Sequence, residues 1–556
     1  MMIPKTIPET GLDRRDFLRK GLAGVGIGAG LDAFTRGTVS GMPAPQRGSG
    51  QGPVPIDRKA LIELRVLLGG NKVLAPGDSA YARTGLAKNG LYLKIRPAAI
   101  VLCHNEQDVV QCVKWCNRYG ISPVVRGGGH SYAGFSTTTG LLIDLKAMNT
   151  VRVLQGGVAE VGGAAHNRDV RRETKGKSYF LPGGTCLDVG VGGLVLGGGI
   201  GYNCRWAGLT SDSLVSTRIV TASGELFEAS ADRNADLFWA CRGGAGGSFG
   251  VNTSFTFKLK DVPQKDVTYF RLDLEGADNA VRVFSEFGKL AATGESRINP
   301  VARIRAPRKE ANGKRQELDV MSRGQFIGSE RELRDLLGSY LVLNSNWKMK
   351  EMPYWSAAEY FLDDTQPEHS FGDISRYAVK PLSDTAIARQ IELLKRFQGG
   401  STDDVGPSLS LWSLGWVGGE VMNKSARTDT AYVHRGMSTL LRPTCSWPNG
   451  SGAESVGKEL LDLTREMVGL LVPETPNESY QNFPNRLLED WQQQYYAENL
   501  PRLVDIKAKY DKGNLFNNPQ SIPTSLSGVC NGQPDRSTIF AVSGENADER
   551  ENQRTR

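Results

Sequence analysis

The 556-residue sequence predicts an α+β protein of two or three domains, and three observations carry that expectation. A chain this long exceeds what one compact core accommodates. Glycine is abundant, and it concentrates in two clusters: Val-Arg-Gly-Gly-Gly-His-Ser-Tyr at 125–132 and a run from Gly183 to Gly199. Residues 263–475 hold no such cluster and instead mix strand-like alternation with amphipathic helical patterns. The hydrophobic fraction of 39% is ordinary, and the net charge of +7 comes from 67 basic and 60 acidic residues with no long basic run. That distribution argues against a nucleic-acid partner.

At the N-terminus, Leu12-Asp13-Arg14-Arg15-Asp16-Phe17-Leu18-Arg19-Lys20 precedes a short, weakly apolar, glycine-rich stretch at 21–31. It resembles a twin-arginine export signal, with Asp13 where Ser or Thr is usual; the plainer alternative is a basic helix with a chance Arg-Arg pair. The apolar stretch is too short for a stable membrane span. Residues 1–45 are therefore assigned to signal and linker, which implies the twin-arginine machinery as a partner and a periplasmic or secreted location.

From about 95 onward the elements follow one another clearly. Ile100-Val101-Leu102 predicts a strand; Asn105 caps a helix whose apolar face is Val109, Val110, Val113 and Cys116, and Gly120 ends it. Val124-Val125 opens a second strand that runs into Gly127-Gly128-Gly129. Strands are expected at 141–145 and 151–154, a helix at 169–177, and a hairpin of 215–221 with 226–228 around Ser223-Gly224. Phe255, Phe257 and Leu259 alternate as a half-buried strand. Beyond the change of composition near 262, strands are expected at 269–274 and 409–416, with helices at 330–343, 385–397 and 486–510. Eight cysteines form no disulfide or zinc pattern; Cys112 and Cys116, one helical turn apart, are expected to be buried apolar residues.

The glycine clusters carry the chemistry. Glycine lets a backbone approach a ligand closely, and successive N–H groups at 127–129 can cradle phosphate. His130 and Cys186 add an imidazole and a thiol, although either residue can equally be a packing residue. In this ordered company the chain resembles the berberine-bridge-enzyme-like flavoprotein oxidases, within the vanillyl-alcohol-oxidase type with a PCMH-type FAD-binding domain. The resemblance spans about 90–525 and includes Gly197-Gly198-Gly199-Ile200-Gly201, Gly208 to Ser213, Ala245 to Val251, and Tyr495-Tyr496 through Ile522.

The resemblance implies an FAD-binding domain over 46–262, built of two α+β subdomains. A substrate domain with an antiparallel sheet flanked by helices follows over 263–475, then a returning segment at 476–530 and a polar tail at 531–556. It implies FAD joined covalently to His130 and Cys186, with Arg126, Gly127, Gly128, Gly129, Ser131, Val189, Gly190, Gly193, Gly198, Gly199, Gly201, Gly250, Val251 and Asn482 around it. Hydride transfer from a substrate C–H to the flavin is the implied reaction, with O₂ as acceptor and H₂O₂ as product; a dehydrogenase with another acceptor is the alternative. The substrate would be a small molecule, whether alcohol, sugar or bulky secondary metabolite. A small residue at Val191, near the position governing oxygen access, favours O₂.

Tyr480 stands where carbohydrate-oxidising members carry their catalytic tyrosine, but no carboxylate occurs on the strand that would activate it. Tyr132 matches a substrate-lining position or is core. Trp412 and Trp416, four apart, share one face of a strand and can stack on a ring or fill the core. Arg442 replaces an acidic or amide residue and suggests an acidic substrate. Finally, Gly246-Gly247-Ser248-Phe249-Gly250 matches the Gly-x-Ser-x-Gly of serine hydrolases, but strand-like alternation follows it where that motif needs a helix.

Overall fold

The β–α–β segment forms as its residues predict. In the computed structural model, which describes residues 56–526 except 311, 344–345, 363–368, 402–405 and 451–452, strand β2 (Ala99–Leu102) leads into helix α2 (Glu106–Tyr119) and strand β3 (Pro123–Arg126). The Asn105 side chain accepts from Asp108 N–H at 3.0 Å, and Gly120 (φ +61°) closes the helix in the left-handed conformation that glycine adopts without steric cost. Val109, Cys112, Val113 and Cys116 are fully buried against helix α1 (Arg58–Leu68) and the sheet, so the cysteine pair is packing. With β1 (Val73–Leu74) and β4 (Leu141–Asp144) the sheet order is β1-β2-β4-β3, and β2 and β3 both run parallel to β4. The glycine turn thus leaves the carboxyl end of a parallel strand, where α/β sheets hold ligands. The export-signal segment and the tail at 531–556 lie outside the described residues.

A second, antiparallel sheet combines β5 (Val151–Leu154), β6 (Val158–Gly162), β7 (Leu214–Val220), β8 (Leu226–Ser230) and β9 (Val251–Lys258) in the order β5-β6-β9-β7-β8. The expected hairpin is β7–β8, with Gly224 at φ +75°. Between β6 and β7 the second glycine cluster enters a short helix, α3 (Val191–Leu196).

The larger sheet comprises β10 (Val267–Glu275), β11 (Ile298–Arg305), β12 (Asp319–Ile327), β13 (Lys348–Met352), β14 (His369–Asp373), β15 (Arg376–Ala378), β16 (Ser408–Leu414) and β17 (Thr439–Pro448). Its order is β13-β10-β12-β11-β16-β17-β14, all antiparallel, with β15 also pairing β17. Strand periodicity sorts its side chains. Phe270, Ile304, Val320, Leu411 and Leu441 pack against helices α4 (Ala277–Ala292), α5 (Asp384–Arg396) and α6 (Ala453–Leu471) in one core. Their neighbours Val301, Arg303, Trp412, Leu414 and Arg442 point to the opposite face.

The chain then returns. Helix α7 (Leu500–Tyr510), with Tyr495 and Tyr496 before it, completes the core around Trp239, Phe255 and Phe257. Fully buried Lys507 donates to Ser248 O and Phe516 O, each at 2.7 Å, and pairs with Asp511 at 2.6 Å. The helix expected at 486–510 is two pieces, Trp491–Tyr496 and α7, interrupted at Ala497 (φ +40°). That expected at 330–343 stops at Leu337, where Gly338 turns positive in φ and a 3₁₀ segment takes over.

Candidate active site

A cavity of about 990 Å³ lies between the two glycine clusters and the bare face of the larger sheet, at the top of the ~300–1,000 Å³ range of small-molecule sites. Its floor is backbone. Gly128 and Gly190 cross so closely that a Cβ on Gly128 would meet Gly190 N at 2.3 Å, and one on Gly190 would meet Gly128 N at 2.4 Å. Neither position admits any other residue without moving a main chain. A Cβ on Gly193, by contrast, would meet no protein atom within 4 Å, because this glycine faces the open cavity.

His130 and Cys186 both border this cavity, on loops that the Gly128–Gly190 crossing holds together. The His130 Nε2 lies 3.6 Å from Asp188, whose other oxygen pairs with Lys88 at 2.8 Å. Burial lowers the His130 pKa more than Asp188 raises it, so the imidazole is neutral and its lone pair available. Burial works against the Asp188 charge, but Lys88 and His130 outweigh it and keep the carboxyl below its ordinary range. Asn167 Nδ2 donates to Cys186 O at 2.9 Å and fixes the loop, while the thiol remains partly accessible and unoxidised.

Above the floor stands an aromatic and charged group that the sequence only partly announced. Tyr132 stacks on Phe483 at 5.1 Å between ring centroids and meets Phe371 edge-on at 4.9 Å. Its phenol oxygen accepts from Arg442 Nη2 at 3.2 Å. Arg442 also lies over the Phe483 ring at 4.7 Å and grips both oxygens of Asp373, at 3.0 and 2.9 Å. Burial disfavours the guanidinium charge, but Asp373 more than restores it. Asp373, Phe371 and Phe483 were not anticipated; β14 and β17 pair directly, but Asp373 lies far from Arg442 along the chain.

Tyr480 is placed differently. It is 1% exposed, and its phenol oxygen accepts from Gly199 N–H at 3.2 Å, Ile200 N–H at 3.1 Å and Asn482 Nδ2 at 3.0 Å. Burial raises its pKa, with the two amides and Asn482 opposing. Phenol and asparagine thereby fasten the returning segment to the second glycine cluster, and Phe483, without a hydroxyl, is the residue of that segment stacked on Tyr132.

The expected cofactor contacts divide by their place relative to the cavity. Gly127 to Ser131, Cys186, Val189, Gly190, Gly193, Gly250 and Asn482 border the cavity, but Arg126, Gly198, Gly199, Gly201 and Val251 do not. Arg126 Nε and Nη1 donate to the carbonyls of Ser136 and Thr84. Gly198 lies against the Tyr432 ring, Gly199 against Thr210 and Gly201 against Gly183 O, so these three shape the loop from behind. Val251 is fully buried in the core beside the first sheet, and Val191 likewise packs with Phe255 rather than facing the cavity. Trp412 and Trp416 both border the cavity, yet they do not share a strand: β16 ends at Leu414, and Trp416 packs in the layer with Tyr202 and Phe361. The charge of Arg442 is already matched internally by Asp373, so it is not an open receptor for an acid. Ser248 is 2% exposed and its hydroxyl accepts from Ile522 N–H, with β9 directly after it; the hydrolase alternative has neither an exposed nucleophile nor the helix it requires.

The residues present fit FAD. A concave backbone wall with exposed glycine amides suits a pyrophosphate, the space before Gly193 suits a flat ring, and a neutral imidazole and a thiol border the same space. Comparisons agree. The FAD binding domain model matches residues 97–230, and the berberine and berberine-like model matches 479–523. The uncharacterized FAD-linked oxidoreductase YgaK of Bacillus subtilis is 33% identical over 470 residues, covering 81% of this chain and 96% of the relative. The chitooligosaccharide oxidase of Gibberella zeae is 29% identical over 470 residues, covering 81% and 91%. Among solved structures, the glucooligosaccharide oxidase of Acremonium strictum, described with a 6-S-cysteinyl, 8α-N1-histidyl FAD, superposes with a TM-score of 0.72 at 25% identity, covering 83% of this chain and 99% of that one.

Proposed function

Because the chain belongs to the berberine-bridge-enzyme-like FAD-linked oxidoreductases, we propose that it is an oxidase whose FAD is tethered twice, through His130 and Cys186. The observation carrying this reading is that imidazole and thiol border one cavity, on loops locked together where Gly128 meets Gly190. The bound flavin supplies the redox chemistry, taking a hydride from a substrate carbinol and passing two electrons to O₂ to give H₂O₂. The remaining work belongs to side chains. As the phenolate, Tyr132 receives the hydroxyl proton of the substrate and becomes the neutral phenol; Arg442, donating to its oxygen at 3.2 Å, favours the anionic form that precedes the transfer. Asp373 holds Arg442 in place from a fully buried position. Phe371, Phe483 and Trp412 offer flat apolar surface to an alcohol or sugar and keep water from the reacting carbon. The relatives named oxidases support O₂ as the acceptor. The Arg14-Arg15 pattern supports export of the folded, flavin-loaded protein to the periplasm or beyond. Among the described residues no helix is long and apolar enough to cross a membrane.

Acid-precipitated protein is expected to stay yellow, and each of His130→Ala and Cys186→Ala to keep one bond with an altered absorption spectrum. The double variant is expected to lose its flavin on precipitation. Flavin released from the wild-type protein by acid would overturn the tethering. Peroxide release with a panel of alcohols and oligosaccharides tests the oxidase reading, which fails if reduced flavin is not reoxidised by air.

A further inference from the structure

The alternation of β11 puts Arg303 and Arg305 on the cavity face beside Val301, and Arg308 follows just beyond the strand end; all three arginines border the cavity. They converge on a single carboxylate. Arg303 Nη2 holds both oxygens of Asp319, at 2.7 and 2.9 Å, while Arg305 and Arg308 stand 3.8 Å away, beyond hydrogen-bond range. The Nε of Arg303 is buried and has no hydrogen-bond partner. A buried donor left unsatisfied is costly, so an acceptor that reaches it gains a bond. The inner end of the cavity is different: Arg442 with Asp373 and Lys88 with Asp188 are matched one to one. Those two aspartates are also the carboxylates among the described residues bordering the cavity. Arg303 lies over the Trp412 ring at 5.3 Å, and Trp412 is the strand partner of Arg442, so one flat ring joins the inner end of the cavity to the outer one. The hydroxyls of Ser408, Ser410 and Thr444 line the intervening wall.

We propose that this outer half of the cavity is a subsite for an anionic substituent, a carboxylate or a sulfate ester, carried on the substrate away from the reacting carbon and held by Arg303 and Arg308. Guanidinium groups suit it because their planar donors match an oxyanion in pairs. A substrate reaching from Tyr132 across Trp412 would be a saccharide of two or more units with its acidic unit outermost. This rests on the reading that the enzyme oxidises an alcohol or sugar.

The test uses the flavin-loaded enzyme and matched disaccharides: cellobiose, the same disaccharide with glucuronic acid at the non-reducing end, and its 6-sulfated counterpart. The anionic members are expected to exceed cellobiose in kcat/KM by about tenfold at low salt. In Arg308→Gln that ratio collapses toward one, and in exposed Arg465→Gln it persists. Preference between the two anions identifies which oxyanion the subsite takes. Independently of turnover, glucuronate is expected to perturb the absorbance of the oxidised flavin at concentrations where glucose does not, and more weakly in Arg308→Gln. An enzyme that oxidises neutral and acidic sugars equally, with a ratio untouched by Arg308→Gln, overturns the subsite and leaves the oxidase reading standing. Glucuronate binding that depends on Arg308 in an enzyme oxidising no sugar keeps the subsite and removes the sugar reading.

Discussion

The two walls of the cavity are made of different material. On the side of the glycine clusters much of the surface is main chain: Gly128 and Gly190 cross with no side chain between, and Gly193 opens onto the cavity. Opposite, the surface is all side chain, projected from β11, β12, β14, β16 and β17, with charges, rings and hydroxyls in a fixed pattern. A main-chain wall offers the same amides whatever bulky residues surround it, which suits a cofactor that does not vary. A side-chain wall changes with each substitution and suits a substrate that does. The two phenols reproduce this division. Tyr480 faces the glycine backbone and holds it; Tyr132 faces side chains, stacked on Phe483 and bonded to Arg442.

That contrast breaks most violently at the crossing point. Gly128→Val places a branched side chain where even a Cβ meets Gly190 N at 2.3 Å, so soluble, flavin-loaded protein should be lost outright. A folded yellow Gly128→Val protein would mean that the floor is not set by the backbone. Next in size is Tyr132→Phe. Loss of a positioned proton acceptor should lower kcat by about 10²–10⁴-fold with flavin content unchanged. Turnover within threefold of wild type would remove Tyr132 from the chemistry.

A smaller effect concerns attachment. Burial lowers the His130 pKa below its ordinary value of 6.5, so the imidazole stays neutral through and somewhat below that pH. Apoprotein mixed with FAD should therefore form the histidyl bond with a rate whose half-maximum falls below pH 6.5, followed by flavin fluorescence on denaturing gels. A rate that already halves near 6.5 would show an imidazole exposed to water. The smallest change is Tyr480→Phe, which leaves the Gly199 and Ile200 amides without their acceptor and should cost about 1–3 kcal/mol of stability in denaturant unfolding. Its turnover should remain near wild type, whereas a stable but inactive Tyr480→Phe enzyme would transfer the role of base from Tyr132 to Tyr480.

Legibility along the chain followed the same division. Glycine turns, caps such as Asn105 and Gly120, and the hairpin at Gly224 are local events, so composition and spacing revealed them. The floor of the cavity, with His130 and Cys186, was therefore visible in advance. Gly198, Gly199 and Gly201 lie against Tyr432, Thr210 and Gly183, and a glycine needed for such packing looks, in sequence, like one needed for a ligand. The opposite wall was nearly silent. Asp373 and Arg442 meet across neighbouring strands, and Arg303 finds Trp412 across β11 and β16; no short window contains either pair. Without the strand order, the carboxylate missing from residues 409–416 could not be found on β14.

The return of α7 sets the order in which the protein can be completed. Tyr495, Leu503 and the Lys507 clamp finish a core most of whose earlier residues lie between 159 and 259. A ribosome has therefore made more than two hundred further residues before the first-built half acquires its last layer. That half cannot mature as an independent unit while the chain is growing. Cofactor capture accordingly belongs to the finished polypeptide, and a truncation before residue 500 should abolish the cradle at the opposite end of the gene product as surely as a lesion within it.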